Sequence, residues 1–413
     1  MHTRTTQIAA TLCLLLLLSA CSNAAPKRTI PKPEPNSDAT TIRFAFPARY
    51  GDWFAPLIQK FQDVHPEYRI ETVDMSDTEP NEAQLIRDKK ADLMMVNALP
   101  FQLVPSLVLD LEPYIRKSNM DLSNYKLEQS EFLFNGRLYA LPMVASPRVL
   151  VGNADLFEKA GVPLPGATWT WEEFREAARK LTSADRTTWG IDPNAPELLA
   201  QLRLMQYKPG TPAWLADEAA WKDALGFWTT VVRTDMSTPP IPSDLKNGPV
   251  NRNNDPMTYI NGKAAMAMGG VGMGGGLPFK QVILPIPTIP GAKPMHYVWY
   301  WSLAIPETSA EPDAAWAFMA WATGPEGGMA LAKQNLLPMY LTPEIEQAWV
   351  AGQLPGAEAV MQSRWMDHFH EPAHGSMRQE MDKAIIRALS GAAPVETVAA
   401  DYAAKVAMLP KKN

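Results

Sequence analysis

The first part of the chain alternates between two hydrophobic periods, and this alternation limits the folds open to it. Large apolar side chains occupy every second position over 42–46, as a buried strand requires, and they recur at helical spacing over 54–64. Two further short strands are predicted at 69–73 and 92–96, with a polar helical piece at 84–89 between them. Strands that alternate with helices predict a parallel sheet covered on both faces, and therefore an α/β fold.

The same alternation resumes later in the chain. Thr170 and Glu173 have the spacing of a capping box at the start of an amphipathic helix. Further amphipathic helices are predicted at 312–323 and 377–390, and Gly391 closes the second of them. A chain of 413 residues is long enough to divide into two lobes or domains.

One apolar segment combines the composition of a buried strand with two prolines. Residues 139–151 are apolar enough for a sheet interior, but Pro142 and Pro147 cannot donate to a strand ladder. We therefore expect the strand to break at these points, where the chain leaves one lobe and enters another. Asn153 then caps a helix predicted at 154–160. The alternative is a single large sheet with the prolines at its edge.

Composition and charge exclude several classes of function. The formal net charge is -6 and the pI is about 5.6, without a basic block in the body of the chain, so nucleic acid is not an expected partner. The two cysteines are Cys13 and Cys21, and Cys13 lies in an apolar segment that we expect to be removed. The mature chain then has no thiol pair, which excludes disulfide scaffolds, cysteine-ligated zinc and dithiol redox chemistry.

The N-terminal segment has the parts of an export signal. A basic start with Arg4 precedes an apolar run at 8–18. This run is shorter than a typical membrane-spanning helix. The following Leu-Ser-Ala-Cys sequence ends at Cys21 and resembles the bacterial lipobox, in which the cysteine is acylated and becomes the first mature residue. The alternative is an ordinary cleaved signal with a chance cysteine. The proline-rich residues behind it, 22–40, are expected to form an extended tether.

Several motifs occur in the order and spacing of a known family. The central block contains Asn-Gly-Arg-Leu-Tyr-Ala-Leu-Pro from Asn135, Gly-Asn-Ala-Asp-Leu-Phe from Gly152 and Trp-Thr-Trp-Glu-Glu-Phe from Trp169. Agreement continues at 261–266, 301–306, 314–318 and 337–338. These motifs closely resemble the extracellular solute-binding proteins of ATP-binding-cassette importers, family 1. That group includes the maltose-binding protein and other oligosaccharide receptors.

The resemblance implies a two-lobed, periplasmic-binding-protein-like fold of type II. In that fold each lobe is a mainly parallel sheet flanked by helices, and several hinge crossings join the lobes. The expected division is a lipoprotein signal peptide at 1–20, a lipidated cysteine and tether at 21–40, an N-terminal lobe at 41–145 plus 304–336, and a C-terminal lobe at 146–303 plus 337–413.

The resemblance also implies where a ligand binds, between the lobes. The matching positions lie in the loops after the first and third strands, at the interlobe crossings, in a glycine-rich segment and near the start of a late helix. They are Arg49, Tyr50, Asp52, Trp53, Asn97, Phe101, Ser146, Arg148, Gly270, Met273, Tyr297, Trp299, Tyr300, Trp301, His374 and Arg378. Such clustered rings suit a carbohydrate, whose C–H face stacks on an aromatic plane. The alternative for each single ring is a place in the core.

The glycine-rich segment departs from the pattern of sugar-binding relatives. Those proteins often place an aromatic residue just beyond a glycine pair, where this chain reads Gly-Gly-Val-Gly-Met over 269–273. A stacking platform is therefore not expected there, and the glycines admit a bulkier ligand or bring backbone amides close to it. His368, His370 and His374 have spacings that could ligate a metal, but Pro372 intervenes, so we predict no metal site.

The resulting expectation is a non-enzymatic receptor without a cofactor. We expect it to capture a carbohydrate, in the size range of an oligosaccharide, and to deliver it to permease subunits of an importer. We expect a monomer held to the outer face of the cell membrane by acylated Cys21, on a Gram-positive surface in preference to the periplasm. Two alternatives stay open at this point. One is a surface-anchored polysaccharide hydrolase, and the other is a ligand-sensing partner of a membrane kinase.

Overall fold

The computed structural model describes residues 38–75, 82–97, 107–126, 133–134, 137–207, 217–241, 258–270, 276–366 and 372–408. Its strands are β1 Thr40–Phe46, β2 Tyr68–Asp74, β3 Leu93–Asn97, β4 Leu133–Phe134, β5 Arg137–Leu138, β6 Leu141–Asn153, β7 Trp189–Ile191, β8 Ala264–Gly270, β9 Gln281–Leu284, β10 Met295–Ala304, β11 Leu337–Pro338 and β12 Arg364–Met366.

The helices pack around these strands. They are α1 Gly51–Val64, α2 Glu82–Arg87, α3 Glu112–Ser118, α4 Ala154–Lys159, α5 Trp171–Leu181, α6 Ala195–Tyr207, α7 Glu218–Thr229, α8 Pro312–Thr323, α9 Pro325–Ala332, α10 Pro343–Ala351, α11 Glu358–Gln362, α12 Pro372–Leu389 and α13 Val395–Ala407. Within the described ranges, none of the helices is long and apolar enough to cross a membrane.

The predicted N-terminal alternation of strands and helices is confirmed. β1 pairs in parallel with both β2 and β3, and α1 follows β1 as the hydrophobic spacing indicated. The buried residues of α1 are Phe54, Leu57, Ile58 and Phe61, which is one apolar face at helical spacing. This part of the chain is therefore a parallel sheet covered by helices.

Two long antiparallel strands, β6 and β10, form the middle of the sheet, whose order is β2-β1-β3-β10-β6-β8-β7. At one end, residues 141–147 of β6 pair with β10, and β10 pairs with β3. At the other end, residues 148–153 of β6 pair with β8 and β9, while the start of β10 pairs with β12. Both strands thus change partners along their length and connect the parallel group β1–β3 to the pair β7–β8.

The expectation that prolines break the strand at 139–151 is wrong. β6 continues through both prolines. Pro142 pairs with Ser302 next to a register shift in β10, and Pro147 pairs with Val298 immediately before β8 becomes the partner of β6. A residue without an N–H is tolerated where the ladder is irregular or changes partner. The prolines therefore mark the crossing without interrupting it.

Helix caps follow the sequence predictions. Thr170 Oγ1 accepts a hydrogen bond from Glu173 N at 3.1 Å, and the Glu173 carboxylate accepts one from Thr170 N at 2.7 Å. Asn153 Oδ1 accepts from Leu156 N at 3.2 Å and so caps α4. Gly391, after α12, has a φ of 76°, the left-handed geometry of a glycine stop. The late helix α12 begins at Pro372, five residues before the predicted start.

Two large cores pack against the central strands, and around residues 145–150 of β6 they lie on opposite faces. On one face, Val149, Val298 and Tyr300 join a core that also contains Phe44 and Phe54 from the N-terminal part of the chain. On the other face, Leu150 of β6 belongs to a second core, built with residues such as Trp171, Trp228 and Tyr402. The first core is continuous beneath β6 and β10, so it links both halves of the sheet.

An ion pair with a buried carboxylate ties the segment before α8 to the sheet. Asp92 is 1% exposed and accepts hydrogen bonds from the Arg43 guanidinium at 2.8 Å and from Ala310 N at 3.0 Å. Burial alone would raise the pKa of Asp92, but the hydrogen bonds from Arg43 and Ala310 outweigh it, and the net pKa is lowered. A lowered pKa means that this carboxylate stabilises the fold above about pH 4, and that the contribution is lost as the pH falls further.

We expect Asp92→Asn to destabilise the protein by about 2–3 kcal/mol, because the Arg43 guanidinium would lose its charged partner. The matched control is Asp313→Asn, which removes the partner of Lys117 in a pair whose side chains are 73% and 74% exposed and should leave stability almost unchanged. Urea unfolding at pH 7 measures both. Equal losses in the two variants would show that the buried pair has no special role.

Candidate functional site

Partly exposed side chains form a line across three neighbouring strands. Along β10, β6 and β8, every second position near the crossing is partly exposed while the positions between are buried. We call these partly exposed residues the central stripe: Trp299, Trp301, Ser146, Arg148, Met268 and Gly270. Five of its six members were predicted from the sequence as ligand-binding residues, and Met268 was not.

Strand register places the stripe on one face of the sheet. Trp299 pairs with Ser146, and Arg148 pairs with Gly270. Directly opposed residues of antiparallel strands have side chains on the same face, as do residues two apart in one strand. The opposite face is occupied by the continuous core beneath β6 and β10. The central stripe is therefore the accessible side of the crossing.

Three aromatic rings meet at one end of the stripe. The centroids of Tyr50 and Trp53 are 4.5 Å apart, and the Trp301 ring lies 5.3 Å from Trp53 at an interplanar angle of 90°. Tyr50 also contacts Trp301 edge to face at 5.8 Å. The Arg49 guanidinium lies over the Tyr50 ring at 4.7 Å. We call Tyr50, Trp53 and Trp301 the aromatic corner, and all three were predicted ligand contacts.

The local fold explains why the corner forms there. β1 ends at Phe46, and a 3₁₀ turn, Ala48–Tyr50, leads directly into α1. Ala48 N donates to Asp74 Oδ1 at 3.0 Å, which fastens this turn to the end of β2. Trp53 lies in the first turn of α1, so its ring is held near the sheet edge where Trp301 emerges from β10.

Two of the predicted aromatic contacts are buried. Tyr300 is 3% exposed and belongs to the core beneath the crossing. Tyr297 is 2% exposed and belongs to the second core, with its ring 5.8 Å from Trp299. Trp299 is itself partly buried against the second core, whereas Trp301 packs against the first. Neighbouring stripe tryptophans are thus supported by different cores.

The other predicted residues belong to neither the central stripe nor the aromatic corner. Asp52 is exposed in the first turn of α1. Asn97 ends β3, where its backbone pairs with Trp301, and the backbone of His374 and Arg378 lies in the early turns of α12. Outside the described residues are Cys21, Phe101, Met273, His368 and His370. Among the described residues, no cluster of three or more histidine, cysteine, aspartate or glutamate side chains could hold a metal ion.

A loop that the sequence analysis missed lies at the same sheet edge as Gly270. Asp192 follows β7 directly, and β7 runs parallel to β8, so their carboxyl ends share an edge. The Asp192 carboxylate is buried and accepts hydrogen bonds from Tyr259 N at 3.0 Å and Asn194 N at 3.0 Å. It therefore fixes the loop. The Asp-Pro-Asn turn directly after the strand was the available signal.

His296 is a buried titratable group in the site strand β10. It is 1% exposed, and its Nδ1 is hydrogen-bonded to Ser363 Oγ at 2.5 Å. Burial lowers the pKa of His296 to about 4. The imidazole is therefore neutral at physiological pH and joins β10 to the residue that precedes β12.

Comparison with known protein families identifies the family of this chain. The model for bacterial extracellular solute-binding proteins matches residues 47–329, which is more than half of the chain. The chain belongs to this family. The matched range includes the central stripe and the aromatic corner.

Two individual relatives match this chain over part of their length. A lipoprotein from the oleD 5' region of Streptomyces antibioticus is 29% identical over 191 residues, which are 42% of this chain and 38% of that protein. A mannitol-binding protein of Pseudomonas aeruginosa is 26% identical over 251 residues, 55% of each chain. The match thus spans about half, or less, of the length of these curated relatives.

Solved structures share the fold. A sugar transporter from Rhizobium etli, crystallised in an open conformation, has a TM-score of 0.77 at 22% identity, and the match covers 90% of this chain and 100% of that one. The predicted two-lobed, periplasmic-binding-protein-like α/β fold is thereby confirmed.

The buried histidine predicts a pH dependence of stability. His296 takes up a proton near pH 6.5 in the unfolded chain but only near pH 4 in the fold, so stability is full above pH 6.5 and falls below it. We expect a loss of about 2 kcal/mol between pH 7 and pH 5 in the native protein, and a smaller loss in His296→Gln. Urea unfolding at the two pH values measures this.

The matched control is His65→Gln, at a site whose side chain is 38% exposed and paired with Glu67. This variant should keep the pH dependence of the native protein. A His296→Gln protein with the same pH dependence as the native protein would contradict the assignment.

Proposed function

We propose that this protein is a receptor that binds a carbohydrate between its two lobes and delivers it to an ATP-binding-cassette permease. The observation that supports this most strongly is that the central stripe and the aromatic corner meet at Trp301. Sequence-predicted ligand positions from the loop before α1 and from β6, β8 and β10 meet on one accessible face. The mannitol-binding relative and the sugar-transporter structure support the same class of solute.

The chemistry of this face suits a sugar. Trp299 and Trp301 offer flat apolar surfaces for the C–H face of a sugar ring, and the Ser146 hydroxyl and Arg148 guanidinium can hydrogen-bond its oxygens. Such a combination of rings with a few polar groups is typical of small-molecule sites. Tyr50 and Trp53 extend the aromatic surface beyond the stripe.

The extent of the surface supports an oligosaccharide. The stripe crosses β10, β6 and β8, which is two inter-strand spacings or about 10 Å, and the aromatic corner continues it. That length exceeds the width of a single sugar ring. A ligand of two or more sugar units would therefore use the whole surface, whereas a polyol or monosaccharide would use part of it.

The mechanism follows from the crossing strands. We propose lobes at 41–145 plus 304–336 and at 146–303 plus 337–413, joined where β6 and β10 change partners. A ligand that contacts both lobes only in the closed form binds that form better, and this difference in affinity shifts the population towards closure. The closed form would be the one presented to the permease. No cofactor and no catalysis are required.

A hydrolase is a weaker interpretation of the same surface. Among the described residues, neither the stripe nor the corner contains a carboxylate. Two lie nearby, Asp52 exposed on α1 and Asp192 buried with its oxygens already hydrogen-bonded, whereas glycoside hydrolysis generally uses a pair that faces the substrate. Incubation with an oligosaccharide should therefore leave it chemically unchanged.

We also propose that acylated Cys21 anchors a monomer to the outer face of the cell membrane, with 22–40 as the tether and a Gram-positive surface favoured. The lipoprotein relative from Streptomyces antibioticus supports the anchor. Such an anchor would hold the receptor near its permease. A membrane kinase in place of the permease would be indicated by a neighbouring sensor gene.

The stripe tryptophans provide the direct test of carbohydrate binding. Ligand at about 100 times its dissociation constant should stabilise the protein by roughly 2.7 kcal/mol, which a thermal-shift screen against oligosaccharides, monosaccharides and polyols detects. We expect Trp299→Ala and Trp301→Ala to remove the shift, because each deletes a stacking surface.

The control is Trp321→Ala, which truncates a partly exposed tryptophan on α8, outside the stripe and the corner. This variant should keep the ligand-induced shift. If the screen finds only solutes other than carbohydrates, or if both stripe variants bind as well as the native protein, the proposed site is wrong.

The anchor has a separate test. Cys21→Ser should abolish incorporation of labelled palmitate and release the protein from washed membranes, because the acylated thiol is lost. Cys13→Ser changes a cysteine inside the apolar run and should leave both properties intact. Palmitate incorporation that persists in Cys21→Ser would contradict the anchor.

A further inference from the structure

We propose that Asp74 is a positioning residue of the candidate site, which holds the aromatic corner in the arrangement that binds the solute. The inference rests on the proposed function and deepens it, because it adds a residue that acts through the backbone of another segment. The Asp74 carboxylate accepts a hydrogen bond from the turn Ala48–Tyr50, and this turn supplies the first ring of the corner.

The turn between β1 and α1 is attached to the sheet through this hydrogen bond. β1 ends at Phe46, and Pro47 has no N–H with which to extend the ladder to β2. Inside the turn, Tyr50 N donates to Pro47 O at 2.9 Å, which shapes the turn without joining it to a strand. Ala48 N donates to Asp74 Oδ1 at 3.0 Å, and this bond does join it to β2.

Asp74 is itself held in place by the sheet. It is the last residue of β2 and pairs with Phe46 in the parallel ladder with β1. The following amide, Met75 N, donates to Phe46 O at 3.1 Å. Asp74 is also exposed, so it contributes little to the core. Its carboxylate thus carries the position of a fixed backbone to the turn.

The position of the turn determines the position of two rings of the corner. Tyr50 is the last residue of the turn, and Trp53 follows it in the first turn of α1. The third ring, Trp301, belongs to β10, and it stands perpendicular to the Trp53 ring at 5.3 Å. The corner therefore joins a ring of the sheet to two rings that follow the turn. A shift of the turn relative to the sheet would change the angle between them.

A fixed corner lowers the free-energy cost of binding. Rings that are already in place lose less conformational freedom when a solute stacks on them. Without the bond from Ala48 to Asp74, the turn would populate other positions, and the apparent affinity would fall by the fraction of molecules in the competent one. A hydrogen bond of ordinary net strength corresponds to an effect of about threefold to tenfold on the dissociation constant.

The first test needs no solute and uses the full chain. Asp74→Ala removes the acceptor of the Ala48 N–H, whereas Asp74→Asn keeps a side-chain oxygen and loses only the charge. We expect hydrogen exchange of the Ala48 amide to be about threefold or more faster in Asp74→Ala, because its hydrogen bond is lost. The near-ultraviolet circular dichroism of the three adjacent rings should weaken in the same variant. Asp74→Asn should restore most of both signals.

The second test measures binding by titration calorimetry, with maltotriose, cellotriose and mannitol as probes. For each probe that binds the native protein, we expect affinity to be about threefold to tenfold weaker in Asp74→Ala and close to native in Asp74→Asn. The matched control is Thr72→Ala, at an exposed position of β2 on the same side of the strand. It should behave like the native protein in both tests. Thermal unfolding without a probe checks that each variant folds.

The outcomes separate this inference from the proposed function. If Asp74→Ala leaves the Ala48 exchange rate and the circular dichroism unchanged, or binds the probes as the native protein does, the positioning role is wrong and the carbohydrate receptor stands. Equal losses in Asp74→Ala and Asp74→Asn would show an effect of charge and also overturn it. If no carbohydrate binds the native protein, the proposed function fails, and the exchange and dichroism measurements still decide whether Asp74 holds the corner.

Discussion

The antiparallel pairing of β6 with β10 is the interaction on which the rest of the structure depends. These two strands are long enough to pair with each other in the middle and with different neighbours at their ends. One face of the pair is sealed by a core that continues from the N-terminal part of the chain. The other face presents the central stripe. A single pairing thus joins the two halves of the sheet and exposes the candidate ligand site where they meet.

Much of the fold could be predicted because its signals are local. The strand at 42–46, the capping box of Thr170 and the helix at 312–323 depend on residues close in sequence, and all agree with the structure. The break expected at Pro142 was wrong because the tolerance of a strand for proline depends on its partner's register, here a shift in β10. That register joins residues far apart in the sequence, which no local pattern specifies.

The candidate site, too, could be predicted in part from the sequence, and the rest depended on the tertiary structure. Tyr50, Trp53 and Trp301 could be named from the family resemblance, and the structure brings them together. Alternation along a strand puts Trp299 and Tyr300 on opposite sides, but it does not say which side is accessible, and the structure places Trp299 in the stripe and Tyr300 in the core. Met268 was missed for a related reason. Its place in the stripe follows from the pairing of β8 with β6 and not from its own chemistry.

The position of β10 in the sheet also constrains how the chain folds. β10 lies between β3 and β6, both of which come much earlier in the sequence. Those two strands cannot pair with their final neighbour until the chain up to Ala304 is present, so neither half of the sheet can be completed alone. Contacts between residues so distant in sequence are typical of slow folding. The strand that presents the tryptophans is thus also the one whose insertion joins the two halves of the sheet.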